Sequence, residues 1–156
     1  GGNLGEDITY SGTVAAAMEG ALLGIPAIAL SQVRVYGENV RWAASEHHGP
    51  TIIRKLLREK WPHNVLMNVN FPDLPAAQVG KTEITVQGRR KIGNKVTTGR
   101  DSRGYDYVWI GTERNEDPSF EGSDLKAVSE GRISITPLCL DLTHRRTLTS
   151  LRAVFE

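Results

Sequence analysis

A glycine-rich polar loop near the start of the chain carries the residue types best suited to chemistry. It runs from Asn3 to Thr13 and leads into the small-residue segment Val14–Gly20, which is typical of a helix. A helix N-terminus presents unpaired backbone N–H groups and the positive end of the macrodipole, so it suits an anion. Ser11 and Thr13 add hydroxyl groups at this point, and Gly12 leaves the backbone open to close approach. The loop therefore predicts a phosphate-binding site.

The same loop also has a purely structural interpretation. Serine and threonine cap helices routinely without any ligand, and a Ser-Gly-Thr tripeptide is a weak motif by itself. Residue types alone therefore leave open whether the segment Ser11–Thr13 binds phosphate or only begins a helix.

Three separated parts of the chain carry longer motifs. They comprise Asn3-Leu4-Gly5 with Tyr10–Gly20 and Leu23–Ser31; Asn68–Pro75; and Asp124, Ala127, Val128 and Glu130–Leu138. In this order, the motifs resemble those of the stationary-phase survival protein family, SurE, and they cover most of the chain.

The resemblance implies a metal-dependent phosphatase that hydrolyses nucleoside 5′- and 3′-monophosphates to nucleoside and phosphate. It implies catalytic roles for Asn3 and Ser11, and it places Asn3, Ser11, Gly12 and Thr13 against the substrate. It also implies one divalent cation per subunit, for which hard oxygen ligands favour Mg²⁺ or Mn²⁺. The family's metal ligands, two adjacent aspartates, a serine and an asparagine, fall upstream of Gly1. We therefore expect no metal ligand within this chain, which resembles the C-terminal two-thirds of a family member and should be inactive alone.

Apolar periodicity predicts an α/β fold. A helix over Thr13–Leu23 followed by a buried strand over Ala27–Ser31 forms one step of a doubly wound sheet. A long helix is predicted over Glu38–Trp61, and Gly49-Pro50 should kink or split it. Further strands are predicted over Val65–Phe71, Thr82–Gln87 and Ile133–Leu138. The resemblance implies that these elements form a Rossmann-like, three-layer sheet with helices.

The chain divides into three predicted parts. Residues 1–78 belong to the Rossmann-like core, residues 79–142 form a β-rich part, and residues 143–156 form a C-terminal helix. The β-rich part should include an extended hairpin arm over Thr82–Gly111, which has too little apolar content to form a core of its own. The terminal helix carries an apolar stripe that must be buried somewhere. We therefore expect a homo-oligomer, a dimer or a tetramer, and the resemblance implies exchanged C-terminal segments.

Composition limits the other classes of function. The net charge is +1, so no global field favours nucleic acid or a membrane surface. Cys139 is the only cysteine, which excludes an internal disulfide and fits a reducing compartment such as the cytoplasm; we interpret it as a buried thiol. His47 and His48 are adjacent on a helix and point about 100° apart, so a solvated face is favoured over a shared metal ion.

A cluster of basic residues keeps one alternative open. It consists of Arg89, Arg90, Lys91, Lys95, Arg100 and Arg103. With nearby aromatic residues, such a cluster could follow a nucleic-acid backbone and stack bases. The aromatic residues lie beyond the basic cluster, however, so a solvated arm is the favoured interpretation. The sequence thus leaves two alternatives to the nucleotidase: a non-catalytic phosphate- or nucleotide-binding module, and a nucleic-acid-binding protein.

Overall fold

Four strands form a central mixed sheet in the computed structural model, which describes residues 1–35, 37–92, 95–111, 114–116 and 120–155. The helices are α1 (Gly12–Leu22), α2 (Ala43–Leu56), α3 (Asp124–Ser129) and α4 (Arg145–Phe155). The strands are β1 (Ile28–Gln32), β2 (Val65–Phe71), β3 (Thr82–Ile84), β4 (Arg90–Ile92), β5 (Val96–Arg100), β6 (Asp106–Ile110), β7 (Arg114–Glu116) and β8 (Ile133–Cys139). Short 3₁₀ turns lie at Gly5–Tyr10 and Ala76–Gln78.

The strand order of the central sheet is β1-β2-β8-β3. Strands β1 and β2 are parallel, with Ser31 opposite Asn70, whereas β8 runs antiparallel to β2 and parallel to β3. Strand β2 is buried along nearly its whole length because it lies between two neighbours and under helices on both faces. This arrangement explains why β2 is predicted so well from its sequence, since a strand covered on both faces has a continuous sequence of uncharged, mostly apolar residues.

Helices cover the two faces of the sheet. On one face α1 packs against β1, β2 and β8 through a cluster that includes Val14, Ala29 and Leu66. On the other face α2 packs through a cluster that includes Ile52 and Phe71. Small residues along α1 allow the helix to lie close to the sheet. At Gly20, an added Cβ atom would lie only 3.1 Å from the Cβ of Ala27. The predicted mixed α/β fold is confirmed.

Side chains alternate between the two faces along each strand. In β2, Leu66 belongs to the cluster under α1, whereas Val69 belongs to the cluster under α2. Asn68 and Asn70 therefore face the α1 side, near the ends of two parallel strands. Strand ends of this kind are where open α/β sheets bind ligands.

The predicted limits of the arm are wrong. Strand β3 belongs to the central sheet, where it pairs with β8, and is not part of a hairpin. The hairpin instead spans β4 to β7: β4 pairs with β7, and β5 pairs with β6 between them. We call this the nested hairpin, residues 90–116. Residues 93–94 of the predicted arm lie outside the described part of the chain.

The predicted split of the second helix is wrong, and its predicted limits, Glu38–Trp61, are too wide. Helix α2 continues through Pro50, and it begins only at Ala43. Proline removes one intrahelical hydrogen bond, but Ala44, Gly49 and Ile52 are all buried, so packing holds the helix on both sides of Pro50.

Cys139, predicted to be buried, is exposed at the last position of β8.

Within the described residues, none of the helices has the length and apolar character needed to cross a membrane.

Candidate functional site

Asn3 is held by side chains of β1 and β2, which bond its side chain and its backbone respectively. The amide groups of Asn68 and Asn70 both donate to the carbonyl oxygen of Asn3, at 2.8 and 3.0 Å. The N–H of Asn3 donates to Oδ1 of Asn70 at 2.8 Å. The Asn3 side chain in turn donates from Nδ2 to Oγ of Ser31 at 2.6 Å. One residue of the predicted site is thus fixed by four hydrogen bonds.

These bonds form in a largely dry environment. Asn68 and Asn70 are fully buried, and Ser31 is buried as well. A buried amide that loses its partner pays its full desolvation cost of about 1–3 kcal/mol, so the contacts to Asn3 are strongly favoured. Oδ1 of Asn68 is buried and has no hydrogen-bond partner in the described structure. It is an acceptor oxygen left available on the residue that holds Asn3.

The next part of the loop is held by Asp124, a fully buried carboxylate at the start of α3. Its Oδ2 accepts from the N–H of Gly5 at 2.9 Å. Its Oδ1 accepts from the N–H groups of Gly88 and Leu125, each at 2.8 Å. Burial raises the pKa of Asp124 above its ordinary value, and backbone hydrogen bonds, the one from Gly5 foremost, oppose that rise without cancelling it.

Ser11 begins α1 as its N-cap. Its Oγ accepts from the N–H of Val14 at 3.0 Å, and its carbonyl accepts from Ala15 at 2.9 Å. The N–H groups of Gly12 and Thr13 form no hydrogen bond within the described residues, and both residues are exposed. A Cβ at Gly12 would meet no atom within 4 Å. The start of α1 is therefore exposed and open to close approach.

A cleft of about 1060 Å³ opens beside Ser11. Its wall is formed on one side by Ile8, Thr9 and Met18, and on the other by residues of β8, including Thr136 and Leu138. The cleft gives a bound molecule room beside the Ser11 cap of α1.

The predicted site residues do not all touch one another. Ser11, Gly12 and Thr13 lie together at the start of α1, whereas Asn3 lies at the ends of β1 and β2. No hydrogen bond of the described residues joins Asn3 to Ser11. The 3₁₀ turn Gly5–Tyr10 links the two places along the chain.

Sequence reasoning missed the residues that hold the loop. Ser31, Asn68, Asn70 and Asp124 were not assigned to the site. Two asparagines spaced by one residue within a buried apolar strand are the available signal, because this spacing puts both amides on the same face. The role of Asp124 has no local signal, since its partners Gly5 and Gly88 are remote in sequence.

Glu6 and Asp7, for which the sequence gives no role, contact the nested hairpin. The Glu6 carboxylate accepts from the backbone N–H of Arg90. The carboxylate of Asp7 lies 3.3 Å from the Arg90 guanidinium group. Both acidic residues are therefore engaged by one arginine of the hairpin.

The residues described here do not by themselves suit a divalent cation. In the described part of the chain, no three His, Cys, Asp or Glu residues are grouped as a metal site would require. Around Asn3 the donors are amide and hydroxyl oxygens, whereas Mg²⁺ sites in proteins usually include one or two carboxylates.

Comparison with known proteins identifies the family. Residues 1–94 match the family described as "Survival protein SurE". The chain belongs to the SurE family. It is 57% identical over 155 residues to a protein named "5'-nucleotidase SurE" from Paramagnetospirillum magneticum, a match that covers 99% of this chain and 60% of the relative. A protein of the same name from Rhodospirillum rubrum is 48% identical over 158 residues, covering 99% of this chain and 60% of that protein.

A solved structure supports the same assignment. The crystal structure of the SurE protein from Aquifex aeolicus superposes with a TM-score of 0.81 at 39% sequence identity, covering all of this chain and 62% of that one. The SurE resemblance and the fold that it implies are confirmed. The chain spans about 60% of the length of the curated relatives that it matches.

Proposed function

We propose that this SurE chain forms the phosphate-binding wall of a phosphatase that hydrolyses nucleoside 5′- and 3′-monophosphates. The observation that carries the proposal is the open start of α1, where the N–H groups of Gly12 and Thr13 have no partner within the described residues beside the Ser11 cap. The relatives' name, 5'-nucleotidase SurE, supports the substrate class.

The residues of this chain would act by positioning and charge stabilisation. Phosphate monoesters hydrolyse extremely slowly without a catalyst, so preorganised donors aimed at the phosphoryl oxygens are required. Gly12 and Thr13 supply backbone N–H groups, and Thr13 adds a hydroxyl. Oγ of Ser11 accepts from Val14 and still has its own proton to donate. Asn3 presents its side-chain amide from a fixed backbone.

We also propose that each subunit binds one divalent cation, Mg²⁺ or Mn²⁺. It would supply positive charge to the phosphoryl group, and its ligands would come from residues upstream of Gly1. We also infer a cytoplasmic protein, because the single free cysteine fits a reducing compartment.

We infer that the basic residues of the hairpin do not add a second function, because two of them are paired with carboxylates. The Arg90 side chain contacts Asp7 at 3.3 Å, and the Arg100 side chain contacts Asp106 at 3.0 Å. Arginines already paired with carboxylates are poorly placed to neutralise a nucleic-acid backbone, so binding of nucleic acid is not favoured.

Self-association is the second part of the proposal. Strands β5 and β6 expose apolar side chains on both faces, including Val108 and Trp109. A two-stranded ribbon without a core is marginal in water. Helix α4 has no buried residue in the single chain, and Leu151, Val154 and Phe155 are all exposed. We propose a dimer or tetramer in which the nested hairpin and an exchanged α4 pack on a neighbouring subunit.

Activity should require residues outside this chain. A protein that includes the residues upstream of Gly1 should release phosphate from a nucleoside monophosphate in the presence of Mn²⁺ and lose this activity with a chelator. The 156-residue chain alone should be inactive. Phosphate release measured on both proteins checks this. Turnover by the purified 156-residue chain would contradict the proposal, and tight nucleotide binding without turnover in the longer protein would favour the non-catalytic module.

The two roles of Ser11 can be separated in the longer protein. Ser11→Asp should keep the free energy of unfolding within about 0.5 kcal/mol because Asp caps as well as Ser, whereas Ser11→Ala should lose about 1 kcal/mol. Ser11→Asp should nevertheless cut kcat by about a hundredfold or more, since its charge repels phosphate where a donor is needed. Asn3→Ala should also reduce kcat strongly.

Thr51→Asp is the charge control, because Thr51 lies exposed on α2 across the sheet from α1. It should leave kcat unchanged. Near-normal kcat and KM in Ser11→Asp would show that Ser11 is only a cap.

Assembly should depend on the apolar side of α4. Replacing Leu151 and Phe155 together by Asp should shift sedimentation toward the monomer and lower stability. The matched control is Thr149→Asp with Ala153→Asp, which has the same spacing on the opposite side of the helix. A wild-type protein that sediments as a monomer at micromolar concentration would contradict this prediction.

A further inference from the structure

Three segments of the chain meet at one buried carboxylate. Gly5 belongs to the polar loop Asn3–Thr13, which we call the site loop. Gly88 lies two residues before the nested hairpin, and Leu125 is the second residue of α3. Their N–H groups all donate to Asp124, at 2.9, 2.8 and 2.8 Å. Asp124 itself is fully buried. One side chain thus joins the candidate site to the root of the hairpin.

The junction has no spare room. A Cβ at Gly88 would lie 2.7 Å from Oδ1 of Asp124 and 2.9 Å from Cδ1 of Leu125. Gly5 has a φ of +52°, and its Cβ would lie 3.0 Å from the Cβ of Arg90. Glycine at both positions lets the two backbones approach the carboxylate closely enough to donate to it.

Further contacts reinforce the same connection. The backbone N–H of Arg90 donates to the Glu6 carboxylate, and the Arg90 side chain contacts Asp7 at 3.3 Å. The backbone N–H of Asp124 donates to the carbonyl of Val86 at 2.9 Å. The site loop and the root of the hairpin are therefore fastened at several points, and Asp124 of α3 accepts hydrogen bonds from both segments.

We propose that Asp124 is a positioning residue that fixes the site loop against the root of the nested hairpin, so that the loop and the hairpin are set in place together. The consequence for turnover rests on the function proposed above. Asp124 does not touch the substrate; it acts through Gly5, which leads through the 3₁₀ turn to Ser11 and the start of α1.

The chemistry of the junction requires a carboxylate. Both oxygens of a carboxylate accept, whereas an asparagine offers one oxygen and one NH₂ group, which cannot accept a hydrogen bond. Asp124→Asn would therefore place its NH₂ group, a donor, against either the N–H of Gly5 or the N–H groups of Gly88 and Leu125. Because hydrogen bonds to a charged group are worth about 1.5–3 kcal/mol, losing one should raise local opening by about tenfold or more.

The test uses the longer protein, which includes the residues upstream of Gly1, with Asp124→Asn and Gly88→Ala as independent variants. Gly88→Ala strains the same junction from the hairpin side without changing any charge. The controls are Glu130→Gln, an exposed carboxylate just after α3, and Gly49→Ala, whose Cβ would make only an ordinary 3.8 Å contact with Phe71. Amide hydrogen exchange and the kcat and KM for a nucleoside monophosphate are measured on all four.

We expect exchange at Gly5 and Gly88 to rise about tenfold or more in both variants, while exchange along β2 stays at the wild-type rate. We expect kcat to fall about tenfold or more in both, with a smaller change in KM, and both controls to behave as wild type. If one of the two variants does not fold, the other variant alone is compared with the wild-type protein.

Three results would overturn the proposal, each in a distinct way. Wild-type exchange at Gly5 and Gly88 would show that Asp124 does not hold the loop. An equal rise along β2 would show that it acts only through global stability. Faster exchange with unchanged kcat would show that holding the loop does not serve turnover. If the wild-type protein has no nucleotidase activity, the proposed function fails, and the exchange data alone still decide whether Asp124 holds the loop.

Discussion

Buried side chains hydrogen-bond the backbone N–H and C=O groups of Asn3 and the N–H group of Gly5. Asn68 and Asn70 bond to Asn3, and Asp124 bonds to Gly5. Backbone N–H and C=O groups that leave water must find partners, and this irregular loop finds several of them in side chains. The position of the 3₁₀ turn, of the Ser11 cap and of the open start of α1 all follow from these few bonds.

The sheet makes this support possible. Asn68 and Asn70 face the α1 side because they alternate with Val69, which packs under α2. Strand β1 runs parallel to β2 and brings Ser31 opposite Asn70, so three polar side chains meet near the ends of two strands. Apolar residues on the opposite face hold the strand in register, since a slip of one residue would exchange the faces.

The predictable parts of the fold are those with strong local patterns. Strand β2 was predicted with its observed limits, Val65–Phe71, and α1 within one residue of its limits at each end, because buried strands and capped helices carry clear signals. The unbroken α2 was not predictable from Pro50 alone, since packing on the sheet outweighs the lost hydrogen bond. The place of β3 in the sheet depends on pairing with β8, a partner distant in sequence.

The candidate site also has parts that the sequence predicts and parts that it does not. Ser11, Gly12 and Thr13 were identified from local residue types, and the structure places them together at an open helix start. Asp124 is part of one of the sequence motifs, but its role could not be found from local patterns, because the fold brings its partners Gly5 and Gly88 from other segments.

The most direct test of the account is a crystal structure of the protein with the residues upstream of Gly1, bound to a nucleoside monophosphate or to phosphate. The account predicts phosphate oxygens within about 3 Å of the backbone nitrogens of Gly12 and Thr13, with the bonds from Asn68, Asn70 and Asp124 to the loop retained. A phosphate bound elsewhere, with solvent on Gly12 and Thr13, would contradict it.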